Sequence, residues 1–220
     1  MYLNNYQHLK NKETYLLFFL FLFSFLIRIP VIFIFGDTRL DNEWGIIVNN
    51  LTDYGKFSLV NFGDFFVPSL FMPPLYAFYL YFFKIFHFNN EIYIQVVLFS
   101  QIILSSFSVV IFYNINKLFF SNKICILGTV IFSLFPLHIY ACAQISSIIL
   151  QTFLTITFFY FFLKIVKKNN FFNVCFLSLA SGLLILLRGE FIVFFLLSIL
   201  YLALFIKINL KSILIIILLT

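Results

Sequence analysis

Residues 15–36 read YLLFFLFLFSFLIRIPVIFIFG, a run in which Arg28 is the single charged residue. An α-helix needs about 20 mainly apolar residues to cross the hydrocarbon core of a bilayer, so this run predicts a membrane-spanning helix. Runs of the same kind recur along the chain, at 66–87, 91–116, 124–143, 145–166, 172–188 and 190–206. The sequence therefore predicts an all-α, polytopic transmembrane bundle of about seven spans.

Composition leads to the same class of protein. Hydrophobic residues make up 63% of the 220 residues and charged residues only 10%, with a mean hydropathy of +1.09. So few charges cannot supply the polar surface of a soluble domain. A transmembrane barrel is excluded as well, because its strands alternate apolar and polar residues whereas these runs are unbroken.

A last apolar run begins at Ser212 and stops at Thr220. Its length is less than half of a crossing. We therefore expect residues 1–220 to form a single transmembrane module that is truncated within its last span.

Charged residues are distributed unequally between the segments that connect the runs. The stretch 37–72 carries two basic residues, Arg39 and Lys56, and five of the eight acidic ones: Asp37, Asp41, Glu43, Asp53 and Asp64. Lysines flank the other runs, at positions 10, 12, 117, 123, 164, 167, 168, 207 and 211. We predict an integral protein of a bacterial inner membrane. Because lysine and arginine are retained on the cytoplasmic side, we expect its N-terminus in the cytoplasm and loop 37–72 outside.

The path between loop 37–72 and Lys117 has two interpretations. All later lysine-rich loops are cytoplasmic only if an odd number of crossings lies between them and this loop, yet two runs, 66–87 and 91–116, lie there. Either run 66–87, which a Pro-Pro pair interrupts, fails to cross completely, or the charge rule fails downstream. The sequence leaves both interpretations open.

Within the outer loop, residues 41–54 have helical periodicity. One face collects Trp44, Ile47, Val48, Leu51 and Tyr54. Asp41 is the expected N-cap and Gly55 the expected C-terminal stop. This pattern predicts an amphipathic helix in the membrane interface, with Asp41 and Glu43 at its N-terminal end.

Several charged residues have both a structural and a functional interpretation. Asp41 and Glu43 are either a cap and a solvated acid or a catalytic pair. Arg28 either extends its side chain towards the interface or meets a phosphate. Arg188-Gly189-Glu190 either forms a short interfacial turn or binds an anionic headgroup.

Other kinds of chemistry have no support in the sequence. It contains no Gly-rich phosphate loop, no nucleophile elbow and no His/Cys cluster with metal-ligand spacing. Basic residues are scattered between apolar runs instead of clustering, so nucleic acid is not a predicted partner.

Taken in order, several short motifs form a recognisable pattern. An arginine near the end of the first span, Arg28, is followed by Asp41-Asn42-Glu43-Trp44, then by Pro73-Pro74-Leu75-Tyr76, by Phe135-Pro136 before the polar patch Gln144–Ser147, and by Leu186-Leu187-Arg188-Gly189-Glu190. The pattern covers about residues 15–205. It resembles the N-terminal portion of GT-C glycosyltransferases, the superfamily that includes protein O-mannosyltransferases and the aminoarabinose and mannose transferases that use polyprenyl-phosphate sugars.

This resemblance implies a membrane glycosyltransferase that moves a sugar, with inversion, from a polyprenyl-phosphate donor to a glycan, lipid or protein acceptor on the non-cytoplasmic side. Asp41 matches the catalytic position best and Glu43 is the alternative. The residues implied in phosphate or substrate binding are Arg188, Lys56, Arg28, Glu190 and Tyr76. No metal ligand is assigned, and a divalent cation is left open as a cofactor.

Two departures from the family pattern stand beside this resemblance. Ser146 and Ser147 occupy the polar patch where family members often have an acid, and Met72 stands where a lysine often precedes the Pro-Pro pair. Two alternatives to the enzyme therefore stay open, a transporter or flippase fragment and a non-catalytic membrane remnant.

Overall fold

Helices dominate the computed structural model, which describes residues 2–62, 65–68, 72–206 and 208–220. The elements are α1 Tyr2–Phe35, α2 Glu43–Tyr54, β1 Ser58–Phe62, β2 Phe65–Pro68, α3 Pro74–Lys84, α4 Asn90–Asn116, α5 Asn122–Ser133, α6 Pro136–Ala141, α7 Ile148–Lys167, α8 Phe171–Leu187, α9 Phe191–Tyr201 with a π-helical continuation Leu202–Ile206, and α10 Leu210–Leu219. Asp64, Lys207 and residues 69–71 of run 66–87 lie outside the described residues.

Three helical segments in the described part of the chain are long and apolar enough to cross a membrane: Lys12–Phe35, Asn90–Asn116 and Ile148–Lys167. They coincide with three of the runs that the sequence predicts as spans. The prediction of a mainly helical chain that contains helices long and apolar enough to cross a membrane is therefore confirmed. The arrangement of about seven spans stays a prediction.

Helices α1 and α4 pack antiparallel. The Lys117 ammonium at the end of α4 forms an ion pair with Glu13 near the start of α1. Further along, the Arg28 Nε donates to Ser105 Oγ over 2.8 Å. Beyond the other end of α1, Arg39 lines a cavity together with Glu91 of the first turn of α4. The antiparallel helices α1 and α4 therefore define two opposite ends of the bundle.

We call the end that contains Glu13 and Lys117 the lysine end, and the end that contains Asp37, Asp41 and Glu91 the acidic end. Lys167 joins the lysine end, because its Nζ donates to the Leu118 carbonyl over 2.6 Å. The α8–α9 turn lies at the acidic end, because Phe191 lines a cavity with Ile148 and other residues of the first turns of α7.

The prediction that run 66–87 is a span does not match the helix that forms. Helix α3 begins only at Pro74 and ends at Lys84, so its 11 residues extend about 16 Å. Both of its ends lie at the acidic end, because Lys84 Nζ donates to Asn90 Oδ1 over 3.2 Å and Tyr76 packs against Trp44 of the 37–72 loop. Pro74 sets the helix start, because its ring disfavours helical backbone at the preceding residue, and Pro73 is extended with ψ 137°.

Other runs are divided by local sequence. Pro136 splits run 124–143 into α5 and the short α6, because the proline ring disfavours helical backbone at the preceding residue. Helix α7 begins at Ile148, three residues later than run 145–166, and the backbone N–H of Ile145 in the loop before it bonds to the Asp37 side chain. Runs 172–188 and 190–206 match α8 and the α9–π segment closely.

The 37–72 loop contains α2 and an antiparallel β1–β2 hairpin. Gly55 ends α2 with φ +66° as predicted, whereas the N-cap is Asn42 and not Asp41, its Oδ1 accepting from the Gly45 N–H. Ile47 and Val48 are fully buried while Tyr54 is 58% exposed. The predicted apolar face therefore packs mostly against α3 and the hairpin. The hairpin itself is a departure from the all-α prediction.

Candidate functional site

A cavity of about 430 Å³ opens at the acidic end, between the 37–41 segment, α2, α3 and α4. Its polar lining consists of Thr38, Arg39, Asp41, Asn49, Lys84, Asn90 and Glu91. Tyr93 and Ile94 form part of its wall. This first cavity thus brings two carboxylates and two cations to one place.

A second cavity, of about 460 Å³, adjoins the first and shares Thr38, Arg39, Glu91 and Ile94 with it. Its other walls come from the ends of α1 and α4 and include Ile32, Phe33 and Leu98. The polar cavity therefore adjoins a cavity of mixed lining, whose apolar side chains come from two helices that are long enough to cross a membrane.

Asp37 holds the cavity-lining segment 38–41 against the α6–α7 loop. Its Oδ2 accepts from the Ile145 N–H over 2.7 Å, and its own N–H donates to the Ala143 carbonyl over 2.9 Å. Gln144 Nε2 donates to the Phe35 carbonyl over 3.0 Å, and Gln101 Nε2 donates to the Gln144 carbonyl over 3.1 Å. The polar patch of the sequence is thus fastened to the end of α1.

Lys84 is oriented by two residues of α4. Its Nζ donates to Asn90 Oδ1 and lies 5.0 Å from the centre of the Tyr93 ring. Both contacts hold an ammonium, the first by a hydrogen bond and the second by the negative face of the ring. They place this cation at the wall of the first cavity.

Arg28, one of the predicted phosphate ligands, lies away from both cavities. Its side chain has no exposed surface. Nη1 donates to the carbonyl and the Oγ of Ser24, Nε donates to Ser105 Oγ, and Nη2 lies 3.3 Å from His138 Nδ1. The guanidinium therefore links α1, α4 and α6 and does not extend towards the interface.

The other predicted residues occupy different positions around the acidic end. Asp41 lines the first cavity, whereas Glu43, in the first turn of α2, lines neither cavity. Lys56 is exposed just beyond α2. Arg188 and Glu190 form an exposed ion pair of 3.6 Å that also lies outside both cavities.

Tyr76 is fully buried in α3, with its ring against Trp44 at a centroid distance of 5.1 Å. Its hydroxyl has no hydrogen-bond partner among the described residues. The structure therefore places Tyr76 behind the first cavity and not in its wall.

Four charged residues of the cavities, Asp37, Arg39, Lys84 and Glu91, are absent from the predicted site. Arg39 and Asp37 lie in the acidic loop, where the sequence indicated the net charge of the loop but no role for either residue. Lys84 is the lone charge in run 66–87, and a lone charge in an apolar run is a signal of a polar environment. Its proximity to Asp41 depends on the short α3, which sequence periodicity does not predict.

The described residues contain no ready-made cluster of metal ligands. No group of three or more His, Cys, Asp or Glu side chains that could hold a metal ion occurs among them. Mg²⁺ is often held by only one or two carboxylates together with waters and substrate phosphates, and Asp41 and Glu91 both line the first cavity. A divalent cation therefore stays open as a cofactor.

At the level of fold, the described residues form a mainly helical protein with three helices suited by length and composition to crossing a membrane and a charged cavity at one end of the bundle. No protein-family model, curated protein sequence or solved structure matches this chain.

Proposed function

We propose that this protein is an inverting, membrane-embedded glycosyltransferase of the GT-C type that uses a polyprenyl-phosphate sugar. The observation that carries the proposal is the composite site at the acidic end. It combines two carboxylates that line the polar cavity, Asp41 and Glu91, two cations, Arg39 and Lys84, and an adjoining cavity with apolar side chains from α1 and α4. Transfer from a lipid phosphate needs these three components together.

In the proposed reaction, Asp41 accepts the proton of an acceptor hydroxyl. The acceptor oxygen forms a bond to the anomeric carbon while the bond from that carbon to the phosphate oxygen breaks. The polyprenyl phosphate leaves with the electron pair, and the anomeric configuration inverts. Arg39 and Lys84 stabilise the charge that grows on the departing phosphate.

The division of the bundle into two ends supports the proposed orientation. Lys117, Lys123, Lys167 and Lys211 belong to the end opposite the acidic cavities. Because lysine-rich ends are retained in the cytoplasm, the cavities face outside in our proposal. Since α3 turns back at the acidic end, α4 is the one helix between the 37–72 loop and Lys117 that connects the two ends, which supports the interpretation with an odd number of crossings.

Substitution of Asp41 tests the proposal. The assay supplies the protein, reconstituted in lipid nanodiscs, with undecaprenyl-phosphate mannose, glucose or aminoarabinose and a detergent-solubilised cell-envelope extract as acceptor. Release of undecaprenyl phosphate is the measured product. We expect Asp41→Asn to lower the release rate about 100-fold or more, because a general base contributes on that order.

The matched control is Asp53→Asn, an exposed acid of α2 that lines neither cavity. We expect this control to keep its rate. Unchanged release by Asp41→Asn would remove Asp41 from the mechanism. If no donor is cleaved and proteoliposomes instead accumulate a solute without a lipid-linked donor, the transporter alternative replaces the enzyme. If neither activity occurs, the non-catalytic alternative is favoured.

Substitution of Lys84 tests the role of the cations. We expect Lys84→Gln to weaken the retention of undecaprenyl phosphate, measured by native mass spectrometry. Lys123→Gln, an exposed lysine at the opposite end, is the control. Equal retention by both variants would contradict the assignment of Lys84 to the phosphate.

A further inference from the structure

Another polar cavity, which we call the lysine-end cavity, lies at the lysine end between the last turn of α7 and the segment that joins α9 to α10. It is shallow, with a volume of about 410 Å³. Its polar lining is Lys167, Asn169 and Asn209, and its apolar lining is Ile165, Val166, Ile206 and Ile208. Both walls therefore combine a hydrogen-bond donor with aliphatic side chains.

The rim of this lysine-end cavity is fixed by contacts between helices. Asn169 Nδ2 donates to Ser212 Oγ over 3.1 Å, which ties the α7–α8 turn to the start of α10. Lys167 Nζ donates to the Leu118 carbonyl and lies 5.3 Å from the centre of the Phe119 ring. The ammonium of Lys167 is thereby held at the edge of the cavity.

Positive charge around this cavity has little compensation. Lys168 and Lys211, both exposed, follow Lys167 and Asn209 closely in sequence. In the described part of the chain, the acid at this end is Glu13, and it is paired with Lys117. A ligand with negative charge therefore complements the cavity.

We propose that this cavity binds the headgroup of an anionic phospholipid. In this proposal the phosphate of the lipid contacts Lys167 and the side-chain amides of the two asparagines. One acyl chain follows the isoleucine side chains of the cavity. A bilayer supplies such lipids at the end of an apolar bundle, and basic pockets between helices recognise them through charge. A free phosphate would leave the aliphatic side chains of the cavity uncovered. The proposal requires a membrane but does not depend on sugar transfer.

The experiment uses the full chain in detergent micelles. Native mass spectrometry measures retention of added dioleoyl phosphatidylglycerol and of dioleoyl phosphatidylcholine. We expect at least about tenfold stronger retention of phosphatidylglycerol, and a loss of most of this preference in the double variant Lys167→Gln/Lys168→Gln, because each surface lysine contributes about fivefold. The charge-retaining variant Lys167→Arg/Lys168→Arg should keep the preference.

Lys123→Gln is the matched control, since Lys123 is exposed at the same end but outside this cavity. Equal retention of the two lipids by the unmodified protein would overturn the proposal. An equal loss in the Lys123 control would also overturn it, because the effect would then belong to overall charge. Displacement of phosphatidylglycerol by millimolar inorganic phosphate would assign the site to free phosphate instead of lipid. Thermal unfolding of each variant verifies that it is folded.

Discussion

At the residue scale, Arg28 is the side chain whose environment differs most from the sequence-based expectation. A guanidinium in a membrane helix is costly unless polar groups surround it. Here Ser24, Ser105 and His138 supply those groups, and all four residues are buried. Neither ion pair in the described residues involves Arg28. Its neutral partners therefore have to solvate the charge, and each of them is important for stability.

Ser105 and Ser106 allow this conclusion to be tested with neighbouring residues. Both are fully buried, but Ser105 accepts from Arg28 whereas Ser106 donates only to the Ile102 carbonyl of its own helix. We expect Ser105→Ala to lower the free energy of unfolding by about 1–2 kcal/mol, because it leaves a buried charged donor without its acceptor. Ser106→Ala should stay within about 0.5 kcal/mol. Unfolding in mixed micelles titrated with dodecyl sulfate gives both values, and equal losses would contradict the interpretation.

Asp37 provides a second prediction at this scale. Asp37→Ala should lower the free energy of unfolding by about 1–3 kcal/mol, because the Ile145 N–H, in a residue that is only 3% exposed, loses its acceptor. Asp37→Asn retains an acceptor oxygen and should recover part of this loss. Faster amide exchange at Ile145 in the alanine variant, reversed in the asparagine variant, is the measurement. Unchanged exchange would show that the carboxylate does not hold the α6–α7 loop.

At this scale the sequence predicts individual residues of the cavity but not the contacts between them. Asp41 is found because it begins an amphipathic helix in an acidic loop. Asp37 and Lys84 are missed because their roles depend on partners 108 and 6 residues away, in the α6–α7 loop and at the start of α4. The burial of Arg28 likewise depends on Ser105 and His138. Local periodicity contains no information on such contacts.

At the scale of elements, α2 follows from the sequence almost completely. Its apolar face and its Gly55 stop are predicted, and Gly55 has the left-handed conformation that glycine adopts without strain. Gly45 has a different role, since a Cβ there would lie 2.1 Å from the Leu40 carbonyl oxygen. The segment 38–41 therefore crosses the first turn of α2 at a distance that only glycine permits.

The cap of α2 gives a prediction for this element. Asn42→Ala should destabilise the helix by about 1 kcal/mol, because the Gly45 N–H loses its side-chain acceptor. Hydrogen exchange of the first turn of α2 measures the change. Asp41→Asn should leave this exchange unaltered, since Asn42 is the cap. The reverse result would restore Asp41 to the capping role that the sequence predicts.

The β1–β2 hairpin and the short α3 show where prediction of elements fails. The hairpin strands contain apolar residues on consecutive positions, such as Phe65 and Phe66, so no alternation of polar and apolar residues marks them. Ser58 is instead fixed by tertiary contacts, as its Oγ donates to the Val67 carbonyl and its own carbonyl accepts from Asn50 Nδ2. Helix α3 ends at Lys84 although apolar residues continue to Phe86.

At the scale of the whole molecule, the two ends differ in charge and are connected by α1, α4 and α7. We predict that membrane-impermeant maleimide labels cysteines introduced at Asp53→Cys and Phe86→Cys from the same side of intact cells. Both positions belong to the acidic end. Asn169→Cys, at the lysine end, should react only after the membrane is opened.

The three native cysteines, which are free, are first replaced by serine or alanine to provide a silent background. Labelling of the Phe86 and Asp53 positions from opposite sides would mean that α3 crosses the membrane, contrary to the topology that we propose. Unchanged thermal stability of the cysteine-free protein is the control.

The separations within the Arg28 cluster also have a consequence for biosynthesis. Ser105 and His138 follow Arg28 by 77 and 110 residues. At a translation rate of about 5–20 residues per second, His138 is made about 5–20 s after Arg28. Until Ser105 is made, the nascent α1 has only Ser24 among these partners to solvate its charge, so the translocon and early lipids receive a helix that is still incomplete. Assembly is finished only when α4 and then α6 arrive, which makes the first helix the template on which later helices are ordered.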